Sequence, residues 1–300
     1  MQLDAWRHGG RTWHWNEHEI FYRDDGAGPV LLCLHGFPSA SWDWHRLWPS
    51  LTARFRVVAP DMLGFGLSAK PRGHAYSLRE QATLHEALCA AVGLGRVHLL
   101  AHDYGVSVAQ ELLARQVEGR GALRVDSICF LNGGLFPELH RARLVQRLLH
   151  SPLGALLGRL MNERGFSRSF AAVFGPRTQP SAAELHTVWL LNAHNDGPRV
   201  AHRVIRYIAE RRRYRERWVG ALQHAGIPLR FVNGPEDPVS GRHMAERYRQ
   251  LVPNADVVLL DGIGHYPQLE APEAVLAAYL EFAERVGATT VAGTAPPRRI

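Results

Sequence analysis

The residues Ala101-His102-Asp103-Tyr104-Gly105 concentrate chemistry in one short stretch. The apolar run Val97-His98-Leu99-Leu100 before them reads as a buried strand, and Val106 to Arg115 after them reads as a helix. Small residues stand two positions either side of the central acid. This is the nucleophile-elbow pattern, in which a sharp strand-to-helix turn raises one side chain above the end of a sheet. The flanks are small because the turn presses backbone against backbone. The raised residue is Asp103, where serine is the commoner choice. A carboxylate attacking an ester or amide carbonyl would form an anhydride, a poor intermediate. Attack on a saturated carbon gives a stable alkyl ester on the enzyme. Asp103 therefore points to substrates with an electrophilic sp3 carbon and a leaving group, such as epoxides or alkyl halides. The alternative role for Asp103 is a cap on the following helix.

His265 lies in Asp261-Gly262-Ile263-Gly264-His265-Tyr266-Pro267, just past the last predicted strand. Loops at the carboxyl ends of strands are where α/β sites assemble. Asp237 lies in Asn233-Gly234-Pro235-Glu236-Asp237-Pro238, past the penultimate core strand. Glu236 is its competitor, and spacing from the strand favours Asp237. The order nucleophile, acid, histidine is that of elbow enzymes. The alternatives are an ordinary turn aspartate and a surface or helix-capping histidine. In the catalytic reading Asp103 becomes an ester. His265, oriented by Asp237, then activates the water that cleaves it. The oxyanion formed in that step needs donors, and the backbone N–H groups of Tyr104 and Phe37 are the candidates. Phe37 belongs to His35-Gly36-Phe37-Pro38, where His35 reads as structural.

The elements that must position these residues alternate strand and helix. Thr12–Trp15 and Glu19–Tyr22 read as an edge hairpin, and Val30–Leu34 as a strand buried on both faces. A helix is expected over Trp42–Phe55, a strand over Arg56–Ala59, and a helix over Leu78–Val92 capped by Ser77 with Glu80 three residues on. Strands are expected at Ser127–Leu131, Leu229–Asn233 and Val257–Leu260, and helices over Arg242–Leu251 and Pro272–Val286. This pattern predicts a mostly parallel, doubly wound sheet. Residues 132–226 lack strand signals and carry Pro137, Pro152, Pro176, Pro180 and Pro198. They are expected to form a helical cap inserted into a core of residues 1–131 and 227–286. Residues 287–300, rich in Gly, Ala, Thr and Pro, are expected to be a flexible tail.

Composition narrows the partners. A hydrophobic fraction of 46% over 300 residues suits one α/β core with an insertion. No run of about 20 apolar residues exists, so no membrane span is expected, and Met1 to Arg11 lacks the apolar region of a signal peptide. Cys33, Cys89 and Cys129 sit in apolar segments without CxxC spacing and read as free thiols of a reducing cytoplasm. The net charge of +7 is carried almost wholly by arginine, Lys70 being the only lysine. The densest run, Arg203 to Arg217, reads as a solvated helix face, with contact to an acidic partner or lipid surface as the lesser alternative. No nucleic-acid motif accompanies it. His186, His194 and His202 lack metal-ligand spacing, so neither metal nor cofactor is expected.

The HGFP, DMLGFGLS, AHDYG, GPEDP and GHYPQLE stretches, in this order, resemble the α/β-hydrolase superfamily. The likeness is to its aspartate-nucleophile branch of epoxide hydrolases and haloalkane dehalogenases, and spans about residues 17–284. Asn132-Gly133-Gly134-Leu135-Phe136-Pro137-Glu138, Arg217-Trp218-Val219-Gly220-Ala221-Leu222 and GHYPQLE look closer still to the mesoderm-specific transcript proteins. The resemblance implies an α/β-hydrolase fold with an inserted cap and no cofactor, acting on a small apolar electrophile and water. Dehalogenases of this type place an indole after the nucleophile and often an Asn after HG, where this chain has Tyr104 and Phe37. Epoxide hydrolases protonate the ring oxygen with cap tyrosines. Tyr207 matches one, while the other falls near Val188 or Trp189. The indole N–H of Trp189 donates a hydrogen bond but cannot give up a proton. Cap–core packing is the alternative role for both Tyr207 and Trp189. Epoxide hydrolysis is thus the leading expectation, with haloalkane dehalogenation or a weakly catalytic ligand-binding protein of the same fold as alternatives.

Overall fold

The computed structural model describes residues 1–288. Among them, eight strands make one sheet: β1 (Arg11–Trp15), β2 (His18–Asp25), β3 (Val30–Leu34), β4 (Arg56–Pro60), β5 (Arg96–Ala101), β6 (Arg124–Phe130), β7 (Leu229–Asn233) and β8 (Asp256–Leu259). Their order across the sheet is β1-β2-β4-β3-β5-β6-β7-β8. The pairs β1–β2 and β2–β4 are antiparallel, and all later pairs are parallel. This is the expected mostly parallel sheet with helices on both faces.

Alternation along each strand sorts the core into two layers. Leu32, Leu34, Val58, Leu99, Ala101, Ile128 and Phe130 face one side, where α3 (Leu78–Ala91) and α4 (Tyr104–Val117) cover them. Leu31, Cys33, Val57, Ala59, Leu100 and Cys129 face the other, under α2 (Trp48–Thr52) and α14 (Pro272–Arg285). The three cysteines are buried and unpaired. Ser77 caps α3 by accepting the Glu80 N–H, while the Glu80 carboxylate turns to His74.

Two elements depart from expectation. The predicted helix over 42–55 is interrupted: a 3-10 turn at Ser41–Trp44 precedes α2. Pro49 explains the break, since an uninterrupted helix would lose its N–H bond and press its ring on the His45 carbonyl. The N-terminal residues Leu3–His8 form a short helix, α1. It is anchored by the fully buried Trp6, whose ring meets Trp48 edge-on at 4.8 Å.

Between β6 and β7 the described chain is helical: α5 (Leu144–His150), α6 (Gly154–Leu160), α7 (Glu163–Ala171), α8 (Ala182–Ala193), α9 (Ala201–Val204), α10 (Tyr207–Arg213) and α11 (Arg215–Gln223). Pro152, Pro176 and Pro180 fall between helices and keep them short. This segment lies over the carboxyl ends of the strands. Lys70 Nζ, from the loop after β4, donates to the Leu191 and His194 carbonyls at 3.0 and 2.6 Å. The Asn192 amide reaches Pro38 O.

The arginine run 203–217 is a solvated face only in part: Arg206, Arg212 and Arg213 are exposed, and Arg211, Arg215 and Arg217 are not. Arg211 is 1% exposed, Arg215 pairs with Glu138, and Arg217 binds Glu111 and Glu118. Carboxylates distant in sequence supply the partners, and hydropathy periodicity does not register them. At the other end, helix α12 (Arg242–Leu251) packs beside β7 and β8. Of the expected tail, Gly287 and Ala288 close α14 by donating to the Glu284 and Ala283 carbonyls. Residues 289–300 lie outside the described residues.

Candidate active site

Strand β3 has β4 on one side and β5 on the other, so chain direction across the sheet reverses at β3. Ligands of open α/β sheets bind at such a reversal, beyond the carboxyl ends of the strands. Asp103 follows β5 and Phe37 follows β3, the two adjacent strands from which the chain leaves in opposite directions across the sheet.

The elbow itself is strained. Asp103 has φ 44° and ψ −100°, a backbone region that L residues seldom adopt. The turn is held by Asp103 N donating to Asn132 O and Gly105 N donating to His35 O, both at 2.9 Å. A Cβ on Gly105 would lie 2.4 Å from the Leu34 carbonyl oxygen, so glycine is required there. Asp103 caps nothing with its side chain. Its Oδ1 accepts the Phe37 N–H at 2.9 Å, and its Oδ2 lies 3.6 Å from His265 Nε2. Tyr104 opens α4, so its N–H has no helical carbonyl to serve.

His265 Nδ1 donates to Asp237 Oδ2 at 2.7 Å. The same carboxylate accepts from Ser240 Oγ at 2.6 Å, Asn132 Nδ2 at 3.0 Å and, through Oδ1, Val239 N at 2.7 Å. Glu236, the competitor, is exposed and meets this loop only through its backbone. His35 is structural in its contacts: Nδ1 donates to Gly36 O and Nε2 accepts the Met62 N–H.

Burial and charge set the protonation. Burial works to raise the Asp103 pKa, but His265, Arg211 and His102 hold it below the ordinary carboxylate range. Asp237, likewise opposed by burial, is brought down to about 2 by His265 and its hydrogen-bond donors. Burial pulls His265 down, yet the two carboxylates outweigh it and raise its pKa to about 10. The two ionised carboxylates thus favour the imidazolium form of His265.

Residues 29–272 match the alpha/beta hydrolase fold family. The chain belongs to this α/β-hydrolase family. It is 46% identical to the human mesoderm-specific transcript homolog protein over 292 residues, covering 93% of this chain and 87% of that one. It is 44% identical to a provisionally named hydrolase, LipZ, of Mycobacterium tuberculosis, covering 92% and 96%. Among solved structures, the haloalkane dehalogenase DbeA of Bradyrhizobium elkani superposes with a TM-score of 0.80 at 23% identity, covering 93% and 98%. The epoxide hydrolase CorEH superposes with 0.76 at 22%, covering 92% and 99%.

Several residues of the α/β hydrolase's site carry no local sequence signal. Arg211, from α10, donates through Nη2 to the Asp103 carbonyl at 2.8 Å and through Nε to Ser107 Oγ at 2.7 Å. It thus clamps the strained elbow from the helical side, where a Cβ on Gly134 would lie 2.4 Å from Nη1. Asn132 ties the β6 end to the Asp237 loop, since its Oδ1 accepts Gly234 N at 2.6 Å. His102 Nε2 donates to the His265 carbonyl at 2.8 Å. Glu270, in α13 (Pro267–Glu270), accepts the N–H groups of Gly264, Tyr266 and Gly175 and so ties the histidine loop to the helical segment. The partner far along the chain is what makes each of these residues matter.

A cavity of about 400 Å³ opens above the site. His265, Tyr266 and Phe37 form its floor, while Leu144, Leu148, Leu157, Leu160, Phe166 and Phe170 are among its walls. Tyr207 is buried against Phe37 and Tyr104, with ring centroids 5.8 and 5.1 Å away. Arg211 lies over its ring at 4.5 Å. Its hydroxyl accepts from Gln146 Nε2 at 3.4 Å. Trp189 is placed further out. Its indole packs on Phe166, and Phe166 rather than Trp189 faces the cavity. Among the described residues no His, Cys, Asp and Glu group could hold a metal, and no helix is long and apolar enough to cross a membrane.

Proposed function

We propose that this α/β hydrolase opens an epoxide through an alkyl ester on Asp103 and hydrolyses the ester to a diol. The observation that carries the reading is the division between the two Asp103 oxygens. Oδ1 already occupies the Phe37 N–H donor, and Oδ2 faces His265. Oδ2 attacks the ring carbon, the C–O bond breaks, and its electron pair goes to the ring oxygen. Tyr207 supplies the proton. Its hydroxyl accepts from Gln146, which leaves its own hydrogen free to be donated. Burial and the Asp103 charge hold Tyr207 in its protonated form. The charge on Asp103 is lost when the ester forms, and the phenol becomes easier to ionise at that moment.

The same loss of charge prepares the second step. With Asp103 esterified, one of the two carboxylates that hold His265 protonated is gone. Its pKa falls, its proton returns through solvent to the Tyr207 phenolate, and the neutral imidazole that remains is a base still oriented by Asp237. The imidazole takes a proton from water, and the hydroxide attacks the Asp103 carboxyl carbon. Negative charge develops on Oδ1 against the Phe37 and Tyr104 amides. The intermediate collapses, the bond from the Asp103 carboxyl carbon to Oδ2 breaks, and the departing alkoxide takes the acid proton, which frees the diol carrying Oδ2 and restores the Asp103 carboxylate. Residues 132–226 act as a cap that shields this chemistry from solvent and selects a small, largely apolar electrophile. Neither cofactor nor metal is required.

The test is intact-protein mass spectrometry of the His265→Gln variant after exposure to epoxides and haloalkanes. An adduct of the whole epoxide mass on Asp103 is expected, since loss of the base stalls the ester. An adduct of an alkyl group without its halogen would replace the epoxide reading with dehalogenation. A folded variant that takes no adduct but is thermally stabilised by these compounds would overturn the reading in favour of a ligand-binding protein.

A further inference from the structure

The helices α5 and α6 pack against each other at the mouth of the cavity. Both turn apolar side chains outward. On α5, Leu144 and Leu148 are 71% and 41% exposed and stand one turn apart. On α6 and its first flank, Leu153, Leu156 and Leu160 are 62%, 53% and 65% exposed and share one face. These five leucines make up most of the large exposed apolar residues described in the protein. An exposed apolar group of this size on a monomer marks a contact surface. Leu144, Leu148 and Leu160 also line the cavity, so the patch and the cavity entrance are continuous.

The charge around the patch identifies what covers it. Arg141, Arg147, Arg159 and Arg164 are exposed, and none of them forms an ion pair among the described residues. Elsewhere Arg215, Arg217, Arg230 and Arg285 are paired, while Arg206, Arg212 and Arg213 are exposed without an ion pair among the described residues but lack the exposed leucines. The one carboxylate between 141 and 168 is Glu163, which is taken up by His186. Leucines interleaved with free arginines on short surface helices are the composition of a segment that lies in an anionic lipid interface. A second copy meeting through the same patch would set these arginines against their own kind.

We infer that α5 and α6 dock the protein on an anionic phospholipid surface, with the leucines in the acyl boundary and the arginines among the headgroups. The cavity entrance then faces the bilayer, and an apolar substrate can enter from the lipid phase. Docking is independent of turnover.

The experiment is flotation of the full chain with vesicles of phosphatidylcholine alone or with about one third phosphatidylglycerol. Binding to the anionic vesicles, weakened by salt, is expected. Leu153→Asp with Leu156→Asp, neither of which lines the cavity, should weaken binding about tenfold or more. Arg147→Glu with Arg159→Glu should weaken it by about as much and remove the preference for phosphatidylglycerol. The His265→Gln variant should bind as the native chain does, which separates docking from the proposed reaction. No binding at low salt, or binding that both double variants leave unchanged, overturns the inference. A dimer in sedimentation that the leucine variant disperses, with no vesicle binding, overturns it too and assigns the face to a second copy.

Discussion

On the sheet side of the cavity, the Asp237 carboxylate accepts four hydrogen bonds, and Asp103 and His265 are each under 5% exposed. On the helical side, Leu144 and Leu160 face solvent and cavity at once, and their helices are seven residues long. The floor is held by hydrogen bonds from the loops that follow the strands to Asp103 Oδ1 and to both Asp237 oxygens. The wall is held by short helices and apolar contact. On the proposed reading, chemistry resides where polar geometry is closely determined, and substrate choice where apolar packing forms the wall. Arg211 and Glu270 bridge the two sides by hydrogen bonds.

The largest effect is expected from breaking the floor at its nucleophile. Asp103→Asn keeps the shape of the elbow and removes the attacking charge. Turnover should fall on the order of 10⁴-fold or more, with the melting temperature little reduced. A single turnover of the native chain in ¹⁸O water should leave the label in Asp103 and an unlabelled enzyme oxygen in the product. Label in the first product molecules would mean that water, not Asp103, attacks the substrate.

Tyr207 tests whether a side chain from the helical segment supplies chemistry. Tyr207→Phe retains the ring packed on Phe37 and Tyr104 and deletes the proton. Ester formation from an epoxide should slow by about 10²-fold. Ester formation from a haloalkane, whose leaving group needs no proton, should be nearly unchanged. Equal effects on the two would assign Tyr207 to packing alone.

The floor was the legible part of the sequence, for a physical reason. An elbow nucleophile needs small flanking residues, and the acid and base must follow strands, so type and position are constrained together. The strand Val30–Leu34 is equally plain because burial on both faces demands a continuous apolar run. The bridging residues are illegible by the same logic. Arg211 sits in a run of arginines with nothing local to mark it as buried, since Asp103 and Ser107 lie over 100 positions away. Trp189 shows the limit of matching by position: a turn of helix decides whether an indole reaches the cavity or packs behind Phe166. Helix α1 depends on one tryptophan, too little for a periodic signal.

Arg211→Met sharpens the comparison from the wall side. It removes a buried donor pair from the Asp103 carbonyl and Ser107, and a destabilisation of about 3 kcal/mol is expected in denaturant titration. Arg211 is also one of the charges that hold the Asp103 pKa down. The acid limb of ester formation should therefore move to higher pH. A stability loss with an unmoved acid limb would make Arg211 a packing residue only.

The smallest effect lies in how the floor's stability depends on pH. His265 has its pKa raised from 6.5 to about 10 by two carboxylates, against the pull of burial. A group raised on folding binds its proton more tightly in the native state. Its contribution is thus complete below 6.5 and is lost as pH rises toward 10. Asp237 is depressed from 3.8 to about 2, so its contribution is complete above 3.8 and is lost as pH falls toward 2. The charged floor is most stabilising between these windows, near pH 5. His265→Gln should cost on the order of 2 kcal/mol there and progressively less by pH 10. A cost that stayed constant from pH 5 to 10 would mean that His265 is neutral in the resting protein, so that ester formation would not be what readies it as a base.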